Sequence, residues 1–263
     1  MRLLVSVVSP EEATRALVGG ADIIDVKDPG EGALGAPSPG VLSEVVRAVD
    51  MAAPVSVALG DLPDLPHTAA LAARGAALSG ADYVKVGLRG VREFDGAVTL
   101  VSAVAEAAGP HTAVIAGAYA DAEALDPPAL APRWLPGLVE RTGIAGALVD
   151  TYVKDGRGLH GWLSESQLAE LIVRTRRAGA IFAVAGQLTL GELRRVAADV
   201  VGVRSAVCRG GDRMAEVDAS LVAAAVAELR SARTPQPGLM RVPVPSGART
   251  TTATPVRRTA AGK

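Results

Sequence analysis

Cysteine is almost missing from this chain: Cys208 is the only one in 263 residues. An internal disulfide and a cysteine metal cluster are thereby excluded, and Cys208 itself reads as a small buried or loop residue. The histidines are equally sparse. His67, His111 and His160 show no metal-ligand spacing, so no metal site is expected. Aromatic residues make up 3% of the chain while hydrophobic residues reach 49%. The core must therefore be built from Ala, Val, Leu and Ile, which suits an α/β protein with close helix–sheet contacts. No charge-free apolar run of about 18 residues occurs, so no membrane span is expected. The N-terminus enters a strand directly, without a signal-peptide pattern, and a soluble cytoplasmic protein is the expectation.

Lysine is the most informative scarcity. Of 27 basic residues only Lys27, Lys85, Lys154 and Lys263 are lysine. Wherever a surface cation would serve, this chain carries arginine. Arginine stays protonated and is a poor imine former or proton acceptor, whereas lysine does both when its pKa is lowered. Three of the four lysines lie in or just after predicted strands. They are candidates for chemistry.

Charge is unevenly spread. Residues 233–263 hold six cations and no acid, which, against a net charge of −1 for the whole chain, leaves residues 1–232 at −7. An acidic body argues against nucleic-acid binding. The basic segment carries Pro235, Pro237, Pro243, Pro245 and Pro255 and has no hydrophobic period. Residues 233–263 are therefore expected to be a disordered tail on a single domain over 1–232.

Within that domain the pattern is strand, helix, strand, helix. Predicted strands are Leu3–Val8, 23–27, Val55–Gly60, Tyr83–Gly87, Ala113–Tyr119, Ala147–Asp150, Ile181–Ala185 and Val200–Arg204. Helices are predicted near 10–18, 39–50, 68–79, 95–108, 136–142, 164–178 and 190–197, with a last one to about 231. Eight such units in about 230 residues match a (β/α)₈ TIM barrel. An internal echo supports this. Gly20-Ala21-Asp22-Ile23-Ile24-Asp25 resembles Gly80-Ala81-Asp82-Tyr83-Val84-Lys85, and Ala198-Asp199-Val200-Val201 resembles both. A doubly wound sheet would carry a glycine fingerprint after its first strand, and Val8-Ser9-Pro10-Glu11 has none.

Barrel sites form at the C-terminal ends of strands. Lys27, Asp150 and Arg204 sit at such ends, with Asp25 and Lys85 further into their strands and Lys154 in the loop after Asp150. Strand alternation puts Ile23, Asp25 and Lys27 on one side. Cations and carboxylates thus converge on one mouth, either as an acid–base site or as a structural ion-pair network. Gly186-Gln187, Gly202 to Arg204 and Gly210-Gly211 suit a phosphate site made of bare backbone N–H groups. Arg213 reads equally well as an added charge or a surface residue. Asp61 and Asp121 read as site groups or as helix caps. The glycine-rich stretch Pro29 to Gly35 is long enough to fold over a ligand.

Several stretches together resemble the (5-formylfuran-3-yl)methyl phosphate synthase family. They are Leu3-Leu4-Val5-Ser6, Gly19 to Pro29, Gly32 to Ala36, Gly60-Asp61-Leu62-Pro63, Asp82 to Gly87, Gly202-Val203-Arg204, and Cys208 with Gly210 to Arg213. The resemblance implies a barrel enzyme that condenses two molecules of glyceraldehyde 3-phosphate into 4-(hydroxymethyl)-2-furancarboxaldehyde phosphate. It implies a Schiff base on Lys27, a proton acceptor at Lys85, and Asp150 and Lys154 in the site. It implies a triose phosphate partner and no metal or organic cofactor. The arginine-rich, alanine-rich composition and the tail depart from that family and leave the fate of the furan open. Two other readings remain open from the residues. One is a phosphate-binding barrel decarboxylase or epimerase with an Asp-x-Lys-x-x-Asp motif, whose last acid is replaced here by Gly30. The other is a non-catalytic barrel that binds a ligand. Nothing in the residues sets the oligomeric state; a homo-oligomer is compatible with them.

Overall fold

A computed structural model describes residues 1–231; the predicted tail lies outside the described residues. Eight parallel strands close into a barrel in chain order, β1 (Arg2–Val7), β2 (Ile23–Val26), β3 (Val55–Asp61), β4 (Tyr83–Gly87), β5 (Ala113–Tyr119), β6 (Gly146–Asp150), β7 (Ile181–Val184) and β8 (Val200–Val203). β8 pairs back onto β1, with Arg2 opposite Val200 and Val5 opposite Val203. Among the described residues seven α-helices surround it: α1 (Pro10–Val18), α2 (Pro39–Val49), α3 (Pro66–Leu78), α4 (Phe94–Ala108), α5 (Leu135–Thr142), α6 (Glu165–Arg177) and α7 (Ala219–Ser231). Among the described residues no helix is long and apolar enough to cross a membrane.

The helix predicted near 190–197 is instead a 3₁₀ segment, Leu190–Arg195. Thr189 and Glu192 do form a capping box, but Val196 already has extended backbone. The extended backbone at Val196 stops the segment after six residues, short enough for the tighter 3₁₀ winding, which is used in short pieces. Elsewhere the helix starts follow local chemistry. Ser9 caps α1 by accepting from Glu12 N, Pro10 follows at the first helical position, and Ser164 with Gln167 closes a capping box on α6.

The echoed Gly-Ala-Asp turns have a shared physical task. Asp22 accepts from Leu3 N at 2.7 Å, Asp82 from Val55 N at 2.8 Å and Asp199 from Phe182 N at 2.9 Å. Each aspartate, placed just before its strand, takes the first free N–H of the strand before it. The barrel floor is thus closed by side chains where the sheet ladder runs out.

Outward strand residues such as Leu3, Val5, Val84, Val86, Ala116, Val149 and Val201 pack against the helices in one large core. The interior differs. Its lower layer is apolar, with Ile23, Ile115, Leu148, Ile181 and Val200, and small residues such as Ala58 and Ala183 leave room above it. That room is where the charged residues lie.

Candidate active site

A cavity runs down the barrel axis and opens at the C-terminal ends of the strands. Its wall includes Ser6, Asp25, Lys27, Lys85, Asp150, Lys154, Gly186, Gln187, Gly202, Arg204 and Arg213. Register explains the grouping. Ser6 is opposite Asp25, Asp25 opposite Ser56, and Ala58 opposite Lys85, so these side chains form one inward belt.

Two of the three cavity lysines are paired. Lys85 Nζ lies 2.6 Å from Asp25 Oδ1 and donates to Oδ2 at 2.7 Å; Ser6 Oγ donates to the same Oδ2 at 2.9 Å. Asp25 is fully buried and Lys85 nearly so. The 2.6 Å contact is an ion contact whose angle is poor for a hydrogen bond, since Oδ1 has no hydrogen-bond partner by geometry. Across the barrel Lys154 Nζ donates to Asp150 Oδ1 at 2.8 Å and to Thr151 O and Oγ1 at 2.5 and 3.1 Å. The Asp150 carboxyl is held below the usual carboxylate range: burial would raise it, but Lys154, Lys27, and donors from Lys154 and Thr151 N outweigh that.

Lys27 is different. Among the described lysines it alone forms no ion pair; its Nζ donates to Ala33 O at 3.2 Å. It is 8% exposed. Burial pushes its pKa down to about 8, with Lys85 and Lys154 adding to the fall and Asp150 and Asp25 opposing it. An amine with that pKa is about a tenth unprotonated at about pH 7, far more than an ordinary lysine, and the free amine is the nucleophile.

The phosphate candidates are distributed differently than their sequence positions suggest. Gly186 and Gln187 line the cavity, and both have positive φ, +115° and 52°. For glutamine that conformation is uncommon, and such backbone clusters at ligand sites. Gly156 N fixes it by donating to Gln187 Oε1 at 3.3 Å. Gly202 faces the cavity, and a Cβ added there would make only ordinary contacts, the nearest 3.4 Å from Ala185 Cβ. Gly210 and Gly211 lie outside the cavity wall and are exposed. Both have positive φ and turn the chain within a small hairpin closed by Cys208 opposite Val217.

Arg204 borders the cavity, but its guanidinium is fully engaged elsewhere. Nε donates to Arg213 O at 2.6 Å; Nη1 donates to Ser6 O at 3.0 Å and Glu12 Oε2 at 2.8 Å. Nη2 donates to Glu12 Oε1 and Ala215 O, both at 3.4 Å. All five of its N–H donors thus have acceptors. Arg204 and Glu12 form a buried pair that ties the segment after β8 to α1.

Several residues of this region have roles that their sequence positions only partly show. Gly87 and Gly117 are opposite each other on β4 and β5. A Cβ at Gly117 would lie 2.6 Å from Leu34 Cδ1, and one at Gly87 would lie 2.0 Å from Asp61 Oδ1. The two glycines therefore make room for the glycine-rich loop's Leu34, which is buried in the mouth, and for Asp61. Tyr119 OH donates to Asp61 Oδ1 and Oδ2 at 2.8 and 2.9 Å, and Arg89 N donates to Oδ1 at 3.0 Å. Burial raises the Asp61 pKa against the pull of those donors and of the Arg89 charge. Asp61 is thus a half-buried brace and not a helix cap. Asp121 is another brace, accepting from Tyr152 N and Val153 N at 2.8 Å. The paired glycines at 87 and 117 were the available signal, since a strand interior gives up side chains only where something else approaches.

Comparison with known proteins agrees with this architecture. Phosphoribosyl anthranilate isomerase from Thermus thermophilus superposes with a TM-score of 0.57 at 18% identity, over 89% of this chain and 100% of that one. At that identity the likeness concerns the fold alone. Sequence relatives are nearer. The (5-formylfuran-3-yl)methyl phosphate synthase of Methanosarcina mazei is 40% identical over 237 residues, covering 88% of this chain and 100% of the relative. The synthase of the same name from Methanothermobacter thermautotrophicus is 42% identical over 218 residues, covering 81% and 92%. The family described as 4-HFC-P synthase matches residues 3–226, nearly the whole barrel with its lysine-lined mouth, and the chain belongs to that family.

Proposed function

We propose that this barrel condenses two molecules of glyceraldehyde 3-phosphate into 4-(hydroxymethyl)-2-furancarboxaldehyde phosphate through an imine on Lys27. The observation that carries the reading is the buried, unpaired Lys27 amine, with its pKa near 8, standing between two lysine–carboxylate pairs. Lys27 Nζ attacks the aldehyde carbon of the first triose, and water leaves as the imine forms. The electron-poor imine makes the neighbouring C–H acidic. Lys85 and Asp25 share that proton and later return protons to the adduct. The resulting enamine carbon attacks the aldehyde of the second triose. Lys154, held by the Asp150 carboxylate on the opposite wall, protonates the alkoxide that forms and steadies the departing groups. Elimination of one phosphate, ring closure and release from Lys27 complete the furan. Two trioses minus one phosphoric acid and two waters give the product, so no oxidant or reductant is needed.

The direct test is to incubate the purified chain with glyceraldehyde 3-phosphate and follow the ultraviolet absorbance of a conjugated furan aldehyde. Mass spectrometry should give the expected product, with one inorganic phosphate released per furan. Consumption of triose phosphate without a furan, or no consumption at all, would overturn the reading.

A further inference from the structure

We infer that Arg213 is the side chain that binds the substrate phosphate, an inference that rests on reading the cavity as a triose phosphate site. Arg204 holds the more obvious position, at the end of β8, but every donor it has is taken and Glu12 neutralises its charge. It has nothing left to offer an incoming anion. Arg213 is the reverse case. It lines the same cavity, beside Gly186, Gly202 and Ser205, and takes part in no ion pair among the described residues. Its Nη2 reaches two main-chain carbonyls of the glycine-rich loop, Pro29 O at 3.3 Å and Gly32 O at 3.4 Å. These are long contacts to uncharged acceptors.

A half-buried guanidinium without a counter-ion loses hydration that two weak carbonyl contacts do not restore. A phosphate monoester restores it. Its oxygens match the planar fork in pairs, and such charge-assisted bonds are shorter and stronger than the carbonyl contacts they would replace. The local build favours the same assignment. Gly210 and Gly211 turn the chain and the Cys208–Val217 bridge closes the hairpin. Arg204 Nε then grips the Arg213 carbonyl. Arg204 thus positions Arg213 without touching the ligand.

The test uses glycerol 3-phosphate, which carries the phosphate monoester but has no aldehyde and forms no imine. Calorimetric titration of the full chain is expected to show binding of glycerol 3-phosphate and none of glycerol. Arg213→Gln should weaken it about tenfold to a hundredfold, the scale of a lost charge-assisted hydrogen bond. Should the glutamine variant melt early, Arg213→Lys serves instead. It keeps the charge without the fork, and affinity several-fold below wild type is expected. Unchanged affinity in the folded variant, or no binding by wild type, overturns the assignment. The furan assay on the same samples separates the two ideas. Furan formation with unchanged affinity in Arg213→Gln removes Arg213 and keeps the reaction. Lost affinity without furan from wild type keeps Arg213 and removes the reaction.

Discussion

Titrating Lys27 tests the centre of the mechanism without assuming a substrate. With a pKa of about 8, roughly 1% of the amine is free at about pH 6, roughly 10% at about pH 7 and half at about pH 8. A lysine at its ordinary value of 10.5 would be free only to roughly 0.03% at about pH 7, so the barrel raises the reactive fraction about 300-fold. Trace acetic anhydride, which acylates only free amines, reads this fraction by peptide mass spectrometry at each pH. The rate at Lys27 should climb about tenfold per pH unit and level off above about pH 8. Two variants fix the sign. Asp150→Asn removes the strongest charge that favours the Lys27 ammonium and releases Lys154, so the midpoint should move down. Lys154→Met removes a repelling charge and leaves Asp150 unpaired, so the midpoint should move up. A wild-type midpoint near that of free lysine, or shifts in the same direction, would refute the reasoning.

The same shift has a consequence for stability. Lys27 has a folded pKa below its unfolded one, so the folded barrel binds fewer protons between the two values. The penalty is complete below about pH 8, fades as pH rises toward 10.5, and amounts to about 3 kcal/mol. Lys27→Met should therefore melt higher than wild type at neutral pH, and the gain should shrink by about pH 10. A variant less stable than wild type at neutral pH would show that Lys27 gains more from Ala33 O and its neighbours than burial takes away.

Two further outcomes are expected. Lys85→Arg keeps a cation against Asp25 but gives a poor proton acceptor, so borohydride should still trap substrate on Lys27 while turnover falls at least about a hundredfold; a mark on residue 85 in wild type would reverse the roles. Glu12→Gln breaks the buried pair with Arg204 and should cost about 3–5 kcal/mol, a fall of roughly 6–20 °C in melting temperature by circular dichroism, while Glu12→Leu with Arg204→Met recovers much of it; an unchanged melting temperature in Glu12→Gln would contradict the pairing.

The barrel was legible because the strand runs are short and mostly apolar and alternate with helical segments, some with clear start signals such as Ser9-Pro10 and Ser164. The echo around Asp22, Asp82 and Asp199 was legible as a repeat, though its cause, a side chain capping the previous strand, needs the closed sheet. Alternation placed Asp25 and Lys27 on one face. It could not say that Asp25 would answer Lys85, two strands away, and leave Lys27 alone. Glu12 is the clearest miss. It reads as a first-turn acid that favours a helix N-terminus, yet it is buried and faces Arg204, 192 residues on. Barrel closure brings β8 beside β1, and local pattern carries no trace of that contact. The 3₁₀ segment at Leu190–Arg195 differs for another reason: the helical start signals at Thr189 and Glu192 are real, but the chain turns extended at Val196 before an α-helix is established.

Cations in this mouth sort by whether a carboxylate answers them. Lys85 and Lys154 are each held by an aspartate, and Arg204 is held by a glutamate. Each of these pairs fixes geometry. Among the described residues, Lys27 and Arg213 have only carbonyl oxygens as hydrogen-bond partners, Ala33 O for one and Pro29 O and Gly32 O for the other. All three carbonyls belong to the glycine-rich loop after β2. A carbonyl contact is readily exchanged for a stronger one, and that is what covalent capture of an aldehyde at Lys27 and ionic capture of a phosphate at Arg213 would supply. Imine formation would remove N–H donors from Lys27 Nζ, and a phosphate would draw on Arg213 Nη2, so a substrate bound as proposed would loosen both ties to the loop through its two ends. Leu34, seated against Gly117 in the mouth, is carried by that loop. On the proposed reaction, the space it fills would open as the first triose is captured, when a second triose has to enter.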